Sequence, residues 1–113
     1  MPQVCRMSGT KQKILIIDDE VDVHLAFRRV LEKEELEIET AASGDAGIKI
    51  AQKFEPDLVV MDIRMGNQNG LDTLKELRRQ NPRQTVIMMT AYGTSQTAIE
   101  AMKLGAYDYV LKP

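Results

Sequence analysis

The sequence has 113 residues, 43% of them apolar and 28% charged, and fits one small globular domain with a modest core. The formal charge of -2 and the isoelectric point near 5.4 argue against direct nucleic-acid binding, which needs a clustered basic excess. The single cysteine permits no internal disulfide and fits a reducing compartment. Because no apolar run is long enough to cross a bilayer and no signal peptide is evident, we expect a soluble, cytoplasmic protein that does not contact membranes.

The first half of the chain alternates strand and helix patterns. Residues 1–12 lack periodicity and are predicted to form a flexible lead-in to one domain at 13–113. The apolar run KILII at 13–17 is typical of a strand buried on both faces, and three acids, Asp18, Asp19 and Glu20, follow it. Apolar residues at helical spacing then predict an amphipathic helix that covers the sheet with one stripe, made of Val23, Ala26, Phe27, Val30 and Leu31.

A second strand and helix precede the most informative strand. Residues 37–41 alternate like an edge strand, and Ser43 is predicted to begin a helix that Pro56 ends. The apolar run at 58–62 predicts another strand buried on both faces, which ends in Asp62. Glycines and amides at 66–70 then break the regularity. Asp62 is therefore predicted to lie at the carboxyl end of a strand, where ligands bind in open parallel sheets.

The second half repeats the alternation. Leucines at 71, 74 and 77 predict a third helix, which stops near Pro82. A fourth apolar strand at 85–90 ends in Thr90, a fourth helix is predicted at about 95–104, and a fifth strand at 107–111 runs into Lys112. Five strands that alternate with four helices predict an α/β fold with right-handed crossovers and a doubly wound parallel sheet.

Five polar residues are predicted to converge at one edge of this sheet. In the strand order 2-1-3-4-5, the first and third strands are neighbours, so Asp18, Asp19 and Asp62 come together, with Thr90 and Lys112 arriving from the next strands. Crowded carboxylates repel one another, and a hard divalent cation with oxygen ligands, most plausibly Mg²⁺, relieves that repulsion. The cation, the lysine ammonium and the threonine hydroxyl together supply what phosphoryl transfer requires, and Asp62 is predicted to accept the phosphoryl group and form an acyl phosphate.

Each residue also has a purely structural interpretation. Paired acids after a strand often interact with a helix dipole, and Asp62 alone could cap a loop. Thr90 could cap a strand end, and Lys112 could be a solvated charge. Their coincidence at the predicted strand ends favours a functional site. His24 lies off the apolar stripe of its helix, and we expect no catalytic role for it.

Four segments together resemble the receiver domain of two-component response regulators: LIIDDE at 15–20, VMDIRM at 60–65, MTAYG at 89–93 and VLKP at 110–113. The resemblance implies that Asp62 is the phosphorylated aspartate, Asp19 a direct Mg²⁺ ligand and Asp18 an acid that acts largely through water. It further implies that the Arg64 backbone carbonyl joins the metal ligands and that Lys112 pairs with the phosphoryl group. Finally, it implies a switch pair, in which Thr90 engages phosphate and Tyr109 turns inward.

The segment 89–113 is similar to receivers of NtrC-type activators of sigma-54 RNA polymerase. This likeness implies a sensor histidine kinase as phosphoryl donor and an output domain outside the chain, with sigma-54 activator ATPase and DNA-binding domains as candidates. Residues 95–110 are expected to form a face that signals by pairing with a second copy or an output domain. In this family a fifth helix normally follows the Lys-Pro pair, and we expect a domain truncated before that helix, with apolar surface left uncovered.

Two other functions deserve comparison. A Mg²⁺-dependent phosphohydrolase with an aspartyl nucleophile usually has a second acid two residues after the nucleophile, and Arg64 occupies that position. A docking module that never accepts phosphate usually lacks one of the acids, the threonine or the lysine, and none is lost here. We therefore predict a phosphoacceptor switch that catalyses only its own phosphotransfer and autodephosphorylation. Arg64 and Tyr92 are expected to flank the path of attacking water and to slow that hydrolysis.

Overall fold

The computed structural model describes residues 12–32, 35–65, 68–90 and 96–111. Within these ranges the chain forms five strands of one sheet and four helices. The strands are β1 (Gln12–Ile17), β2 (Leu36–Ala41), β3 (Leu58–Asp62), β4 (Thr85–Thr90) and β5 (Asp108–Leu111). The helices are α1 (Val21–Leu31), α2 (Gly44–Phe54), α3 (Gly70–Gln80) and α4 (Gln96–Lys103). No helix in the described part of the chain is long and apolar enough to cross a membrane.

The sheet is parallel throughout, with the order β2-β1-β3-β4-β5, which confirms the predicted fold class. β1 and β3 are neighbours, and a reciprocal contact fixes their amino-terminal ends: the Lys13 amide donates to the Asp57 carboxylate and the Asp57 amide donates to the Lys13 carbonyl oxygen, both at 2.8 Å. At the other end Ile17 lies opposite Met61. The carboxyl ends of β1 and β3 therefore finish side by side.

The two faces of the sheet are packed unequally. The larger core lies between one face and α2, α3 and α4, and includes the fully buried side chains of Leu15, Met61 and Leu74. On the opposite face, alternate residues of the same strands, Ile16 and Val60 among them, form a smaller cluster under α1. This alternation follows from the period-2 geometry of strands, and it explains why the strands read as continuous apolar runs.

Helix α1 is less buried than its sequence pattern predicts. Val23 and Phe27 pack against the smaller cluster. Two other members of the predicted stripe, Ala26 and Val30, are exposed, Val30 to 75%. No residue of α1 is fully buried. The contact between α1 and the sheet is therefore narrower than the five-residue stripe, and only part of the prediction is correct.

The ends of α2 follow the predicted signals. The Ser43 hydroxyl accepts from the Ala46 amide at 3.1 Å and caps the start of the helix. At the other end Glu55 adopts a left-handed conformation with φ of 51°, and its amide donates to the Ala51 carbonyl oxygen at 3.0 Å. Pro56, which cannot continue a helix, follows immediately. These two signals fix the length of α2 and the entry into β3.

The segment after Asp62 contains a feature that the sequence did not predict. Arg64–Met65 and Gln68–Asn69 form a two-stranded antiparallel hairpin, with Arg64 opposite Asn69. Two-residue strands are too short to show any hydrophobic period, so the segment reads as an irregular loop in the sequence. The hairpin leads directly into Gly70, the first residue of α3.

Candidate functional site

Asp62 is the last residue of β3 and lies at the centre of the carboxyl edge of the sheet. β3 has a hydrogen-bonded neighbour on each side, with Ile17 opposite Met61 and Met89 opposite Asp62. The Ile63 amide also donates to the Met89 carbonyl oxygen at 3.0 Å. The Asp62 residue is only 6% exposed. Backbone pairing on both flanks therefore fixes a nearly buried carboxylate at an edge where ligands bind in such sheets.

The acidic loop, residues 18–20, follows β1 at the same edge. Asp18 is fully buried, and its amide donates to the Ala41 carbonyl oxygen at 3.0 Å. Its Oδ1 accepts from the Glu20 amide at 2.9 Å, a short turn that this side chain stabilises. Asp19 and Glu20 are exposed. The acidic loop thus has one carboxylate in the protein interior and two at the surface.

Four carboxylates meet where the acidic loop approaches the end of β3. One oxygen each of Asp18, Asp19, Glu20 and Asp62 lies within 4.8 Å of the others. An octahedral Mg²⁺ takes oxygen ligands at about 2.1 Å, which places ligand oxygens roughly 3 to 4 Å apart. Hard oxygen donors at this spacing suit such a cation. The structure thus brings together Asp18, Asp19 and Asp62, the three acids predicted from the sequence, and adds Glu20. The sequence signal for Glu20 was its position directly after the two aspartates.

Thr90 ends β4 at the same edge of the sheet. It follows Met89, which lies opposite Asp62. Leu111 of β5 lies opposite Thr90. Lys112 comes next in the chain and lies outside the described residues. The backbone therefore brings Thr90 to the edge occupied by the four acids, as the strand order predicts.

Arg64 and Tyr109 were assigned to the site by resemblance alone. Arg64 is two positions after Asp62, in the hairpin. Tyr109 lies in β5 opposite Met88, and its half-buried side chain packs against the larger core. Tyr109 is therefore placed next to β4, the strand that ends in Thr90.

The sequence did not predict one contact at the site, which involves His24. His24, in the first turns of α1, has its Nε2 atom 2.7 Å from the backbone carbonyl oxygen of Asp18. A carbonyl oxygen only accepts hydrogen bonds, so the imidazole is the donor. Residue patterns do not reveal this contact, because its partner is a backbone atom rather than another side chain.

The sequence matches the profile of the response regulator receiver domain over residues 14–113. The chain therefore belongs to the response regulator receiver domain family. Receiver domains are phosphorylation-based switches of two-component response regulators, and they act as phosphoacceptors rather than as enzymes in the ordinary sense. Acidic pockets that use Mg²⁺ are general in this family, and the four carboxylates form an acidic cluster here.

Named relatives support this assignment. The regulatory protein AtoC of Escherichia coli is 41% identical over 101 residues, which cover 89% of this receiver domain and 22% of AtoC. The crystal structure of the receiver domain of NtrX from Brucella abortus is 35% identical with a TM-score of 0.81, and the match covers 88% of this chain and 85% of that one. The predicted resemblance to NtrC-type receivers is confirmed by such relatives.

A third relative was solved with ligands. A response regulator from Burkholderia pseudomallei, 28% identical with a TM-score of 0.84, was crystallised with a phosphorylated aspartic acid, a calcium ion and citrate. The match covers 91% of this chain and 61% of that one. The receiver domain described here spans less than a quarter of the length of AtoC.

Proposed function

We propose that Asp62 accepts a phosphoryl group from a sensor histidine kinase in a Mg²⁺-dependent reaction in the cytoplasm. The observation that carries this proposal is the position of Asp62, a nearly buried carboxylate at the end of the central strand, beside three further carboxylates within 4.8 Å of one another. A buried acid surrounded by other acids is costly unless a cation compensates the charge. The phosphorylated aspartic acid and calcium ion of the Burkholderia relative support the same chemistry.

Asp19 and Asp62 would hold Mg²⁺ directly, with the Arg64 carbonyl oxygen as a further ligand and Asp18 acting largely through water. Glu20 adds a fourth carboxylate to this set. The cation, when bound, supplies positive charge that compensates the phosphoryl oxygens during transfer. The burial of Asp18 and its hydrogen bond to the Glu20 amide hold the Asp18 carboxylate in place before the cation arrives.

In the transfer itself, a carboxylate oxygen of Asp62 attacks the phosphorus of a phosphohistidine. The new oxygen–phosphorus bond forms as the phosphorus–nitrogen bond breaks, and the histidine nitrogen leaves with the electron pair and takes up a proton. The Lys112 ammonium pairs with one phosphoryl oxygen, and the Thr90 hydroxyl donates to another. Movement of Thr90 toward the phosphoryl group leaves room for Tyr109 to turn inward, which changes the surface of β5.

The acyl phosphate is then lost by autodephosphorylation. Arg64 and Tyr92, each two positions beyond a site residue, would flank the approach of water and slow this hydrolysis. Tyr92 lies outside the described residues. Arg64 also argues against a Mg²⁺-dependent phosphohydrolase, because such an enzyme usually has an acid two residues after its aspartyl nucleophile. Replacement of Arg64 and Tyr92 with small residues should therefore shorten the phosphoryl lifetime without creating sustained turnover of a phosphomonoester.

The signal leaves the domain through the face 95–110. In the described part of this face, four apolar side chains are 40 to 73% exposed: Ile99, Met102, Tyr107 and Val110. Apolar side chains grouped at a surface mark interaction sites. We expect this face to pair with a second copy or with an output domain outside 1–113, with a sigma-54 activator ATPase and a DNA-binding domain as candidates. An oligomer size that does not respond to phosphorylation, measured by analytical ultracentrifugation, would count against this route.

The decisive experiment is phosphorylation of the purified domain with acetyl phosphate and Mg²⁺, read by mass spectrometry. We expect one added phosphoryl group in the wild type and in Asp72→Ala, which removes an exposed acid of α3, and none in Asp62→Ala. The group should also be absent when Mg²⁺ is chelated. An unmodified wild type would favour the docking interpretation, and a modified Asp62→Ala variant would place the acceptor elsewhere.

A further inference from the structure

The geometry points to His24 as a positioning residue for the acidic loop: its Nε2–H donates to the Asp18 carbonyl oxygen and holds residues 18–20 in the arrangement that binds the cation. The 2.7 Å contact spans six residues, from the second turn of α1 back to the first residue of the loop. His24 is half-buried, so this hydrogen bond is partly shielded from water. The inference rests on the proposed function of the acids.

The acidic loop needs such a tie because its own charges oppose its geometry. Carboxylates held within 4.8 Å of one another repel, and the repulsion favours any motion that separates them. The Glu20 amide bonds to the Asp18 carboxylate, and the Val23 amide donates to the Glu20 carbonyl oxygen at 3.1 Å. Both contacts involve Glu20. At the other end, where the chain leaves β1, the Asp18 amide donates to the Ala41 carbonyl oxygen at 3.0 Å, and the His24 side chain adds a second contact there, to the Asp18 carbonyl oxygen.

The contact sets a requirement on the imidazole. Because the carbonyl oxygen can only accept, Nε2 must carry a proton, and the neutral Nε2–H tautomer meets this requirement. Hydrogen bonds that orient metal ligands from behind affect metal affinity by about 10- to 100-fold. The His24 bond reaches the backbone of Asp18 rather than its carboxylate, so we expect an effect near the lower end of that range.

Three variants test the role through the affinity for Mg²⁺ alone, measured by titration calorimetry. We expect His24→Leu to bind Mg²⁺ about tenfold more weakly than the wild type. His24→Gln, whose amide nitrogen reaches a position similar to Nε2, should recover to within about threefold. The matched control is Leu25→Ala, on the same helix, where the side chain is 55% exposed, and its affinity should not change. Equal affinities for the wild type and His24→Leu overturn the inference. Equal weakness of His24→Gln and His24→Leu overturns it as well, since packing would then explain the loss.

A second readout needs no metal. His24 is the single histidine of the chain, so two-bond nitrogen–proton correlation spectra report its tautomer without overlap. We expect Nε2 to be protonated in the metal-free protein at neutral pH, and protonation at Nδ1 alone overturns the inference. If the wild type binds Mg²⁺ but acetyl phosphate does not modify it, the proposed function fails while the affinity ratios still decide the role of His24. If the wild type binds no Mg²⁺, the proposed function and the role of His24 in cation binding both fail, and the tautomer shows only whether the hydrogen bond to Asp18 forms.

Discussion

Helices α1 and α3 each have 11 residues and an amphipathic sequence, yet they pack against the sheet to very different extents. α3 buries five residues, among them Leu71, Leu74 and Leu77. α1 buries none, and Val21, Leu25 and Val30 are each more than half exposed. Of these two helices, α1 directly follows the acidic loop in sequence, and it is the less buried one.

This difference predicts that substitutions near the two helices act on different properties of the domain. Burial of apolar side chains is the main source of folding free energy, so the face covered by α2, α3 and α4 carries most of it. α1 contributes less burial but reaches the acidic loop through His24. Substitutions on the α3 side should therefore act on folding first, whereas substitutions beside the acidic loop should act on cation binding first.

The largest expected effect is on the packed face. Leu74→Ala removes a fully buried side chain and should lower the free energy of unfolding by roughly 2 to 5 kcal/mol. The matched change on α1 is Val30→Ala, at a position 75% exposed, which should alter stability by no more than about 0.5 kcal/mol. Urea denaturation measures both. Similar losses from the two variants would mean that α1 is as tightly packed as α3.

Cation binding should add stability on the side of the acidic loop. At a free Mg²⁺ concentration about 100 times the Kd, binding to the folded state alone stabilises by about 2.7 kcal/mol. We expect Mg²⁺ to raise the Tm of the wild type and to have much less effect on Asp19→Asn. When Mg²⁺ is removed with a chelator, the Tm of Asp19→Asn should be at least as high as that of the wild type, because one of the repelling carboxylate charges is gone. A Tm that ignores Mg²⁺ in the wild type would contradict this prediction.

Substitutions at two glycines should separate an effect on stability alone from an effect on both stability and the geometry of the site. A Cβ atom at Gly70 would lie 2.6 Å from the Asp62 carbonyl oxygen and 2.8 Å from that of Ile63, so Gly70→Ala must displace the backbone at the candidate acceptor. A Cβ atom at Gly47 would instead meet the side chain of Ile17. Each change to Ala should cost roughly 1 to 3 kcal/mol of stability. Gly70→Ala should in addition weaken Mg²⁺ binding, as titration calorimetry would show, whereas Gly47→Ala should not.

The smallest effect is expected on the outer side of α3. Arg79 and Gln80 donate to the Glu76 carboxylate, and these hydrogen bonds, that of Arg79 foremost, lower the pKa of Glu76 from 4.5 to about 2. A depressed pKa in the folded state gives stability that is present above pH 4.5 and is lost as the pH falls toward about 2. Water screens this exposed pair, so the contribution is small. The difference in urea midpoint between the wild type and Glu76→Gln should be slight at neutral pH and shrink as the pH falls over that interval. A difference at pH 2 as large as that at neutral pH would assign it to another cause.

The sequence predicted those features that have a local signal. The strand β3 and the strand β4 were predicted with their observed bounds, because apolar runs of this length between turn residues suit buried parallel strands. Asp18 and Asp62 could be placed together because the strand order brings the carboxyl ends of neighbouring strands to one edge. Residue types and topology were sufficient for both.

Other features depend on tertiary context. The stripe of α1 predicts that Val30 faces the sheet, but helical periodicity states only which residues share a face and not how closely that face is covered. His24 contacts the backbone carbonyl oxygen of Asp18, and a pattern of residue types does not show which backbone atoms a side chain reaches. The hairpin at Arg64 involves strands of two residues, below the length at which a period exists.

The pairing of β1 with β3 also has a consequence for how the domain folds. The reciprocal contact between Lys13 and Asp57 joins residues 44 positions apart. Closing so long a loop costs chain entropy before any contact compensates for it, and proteins dominated by such pairs fold more slowly than helical bundles. A chain in which only β1, α1 and β2 have formed would present Asp18 and Asp19 without Asp62 beside them. Under the function proposed above, such an intermediate could not accept a phosphoryl group, so a newly made domain would become responsive only after its central, non-local strand pair had formed.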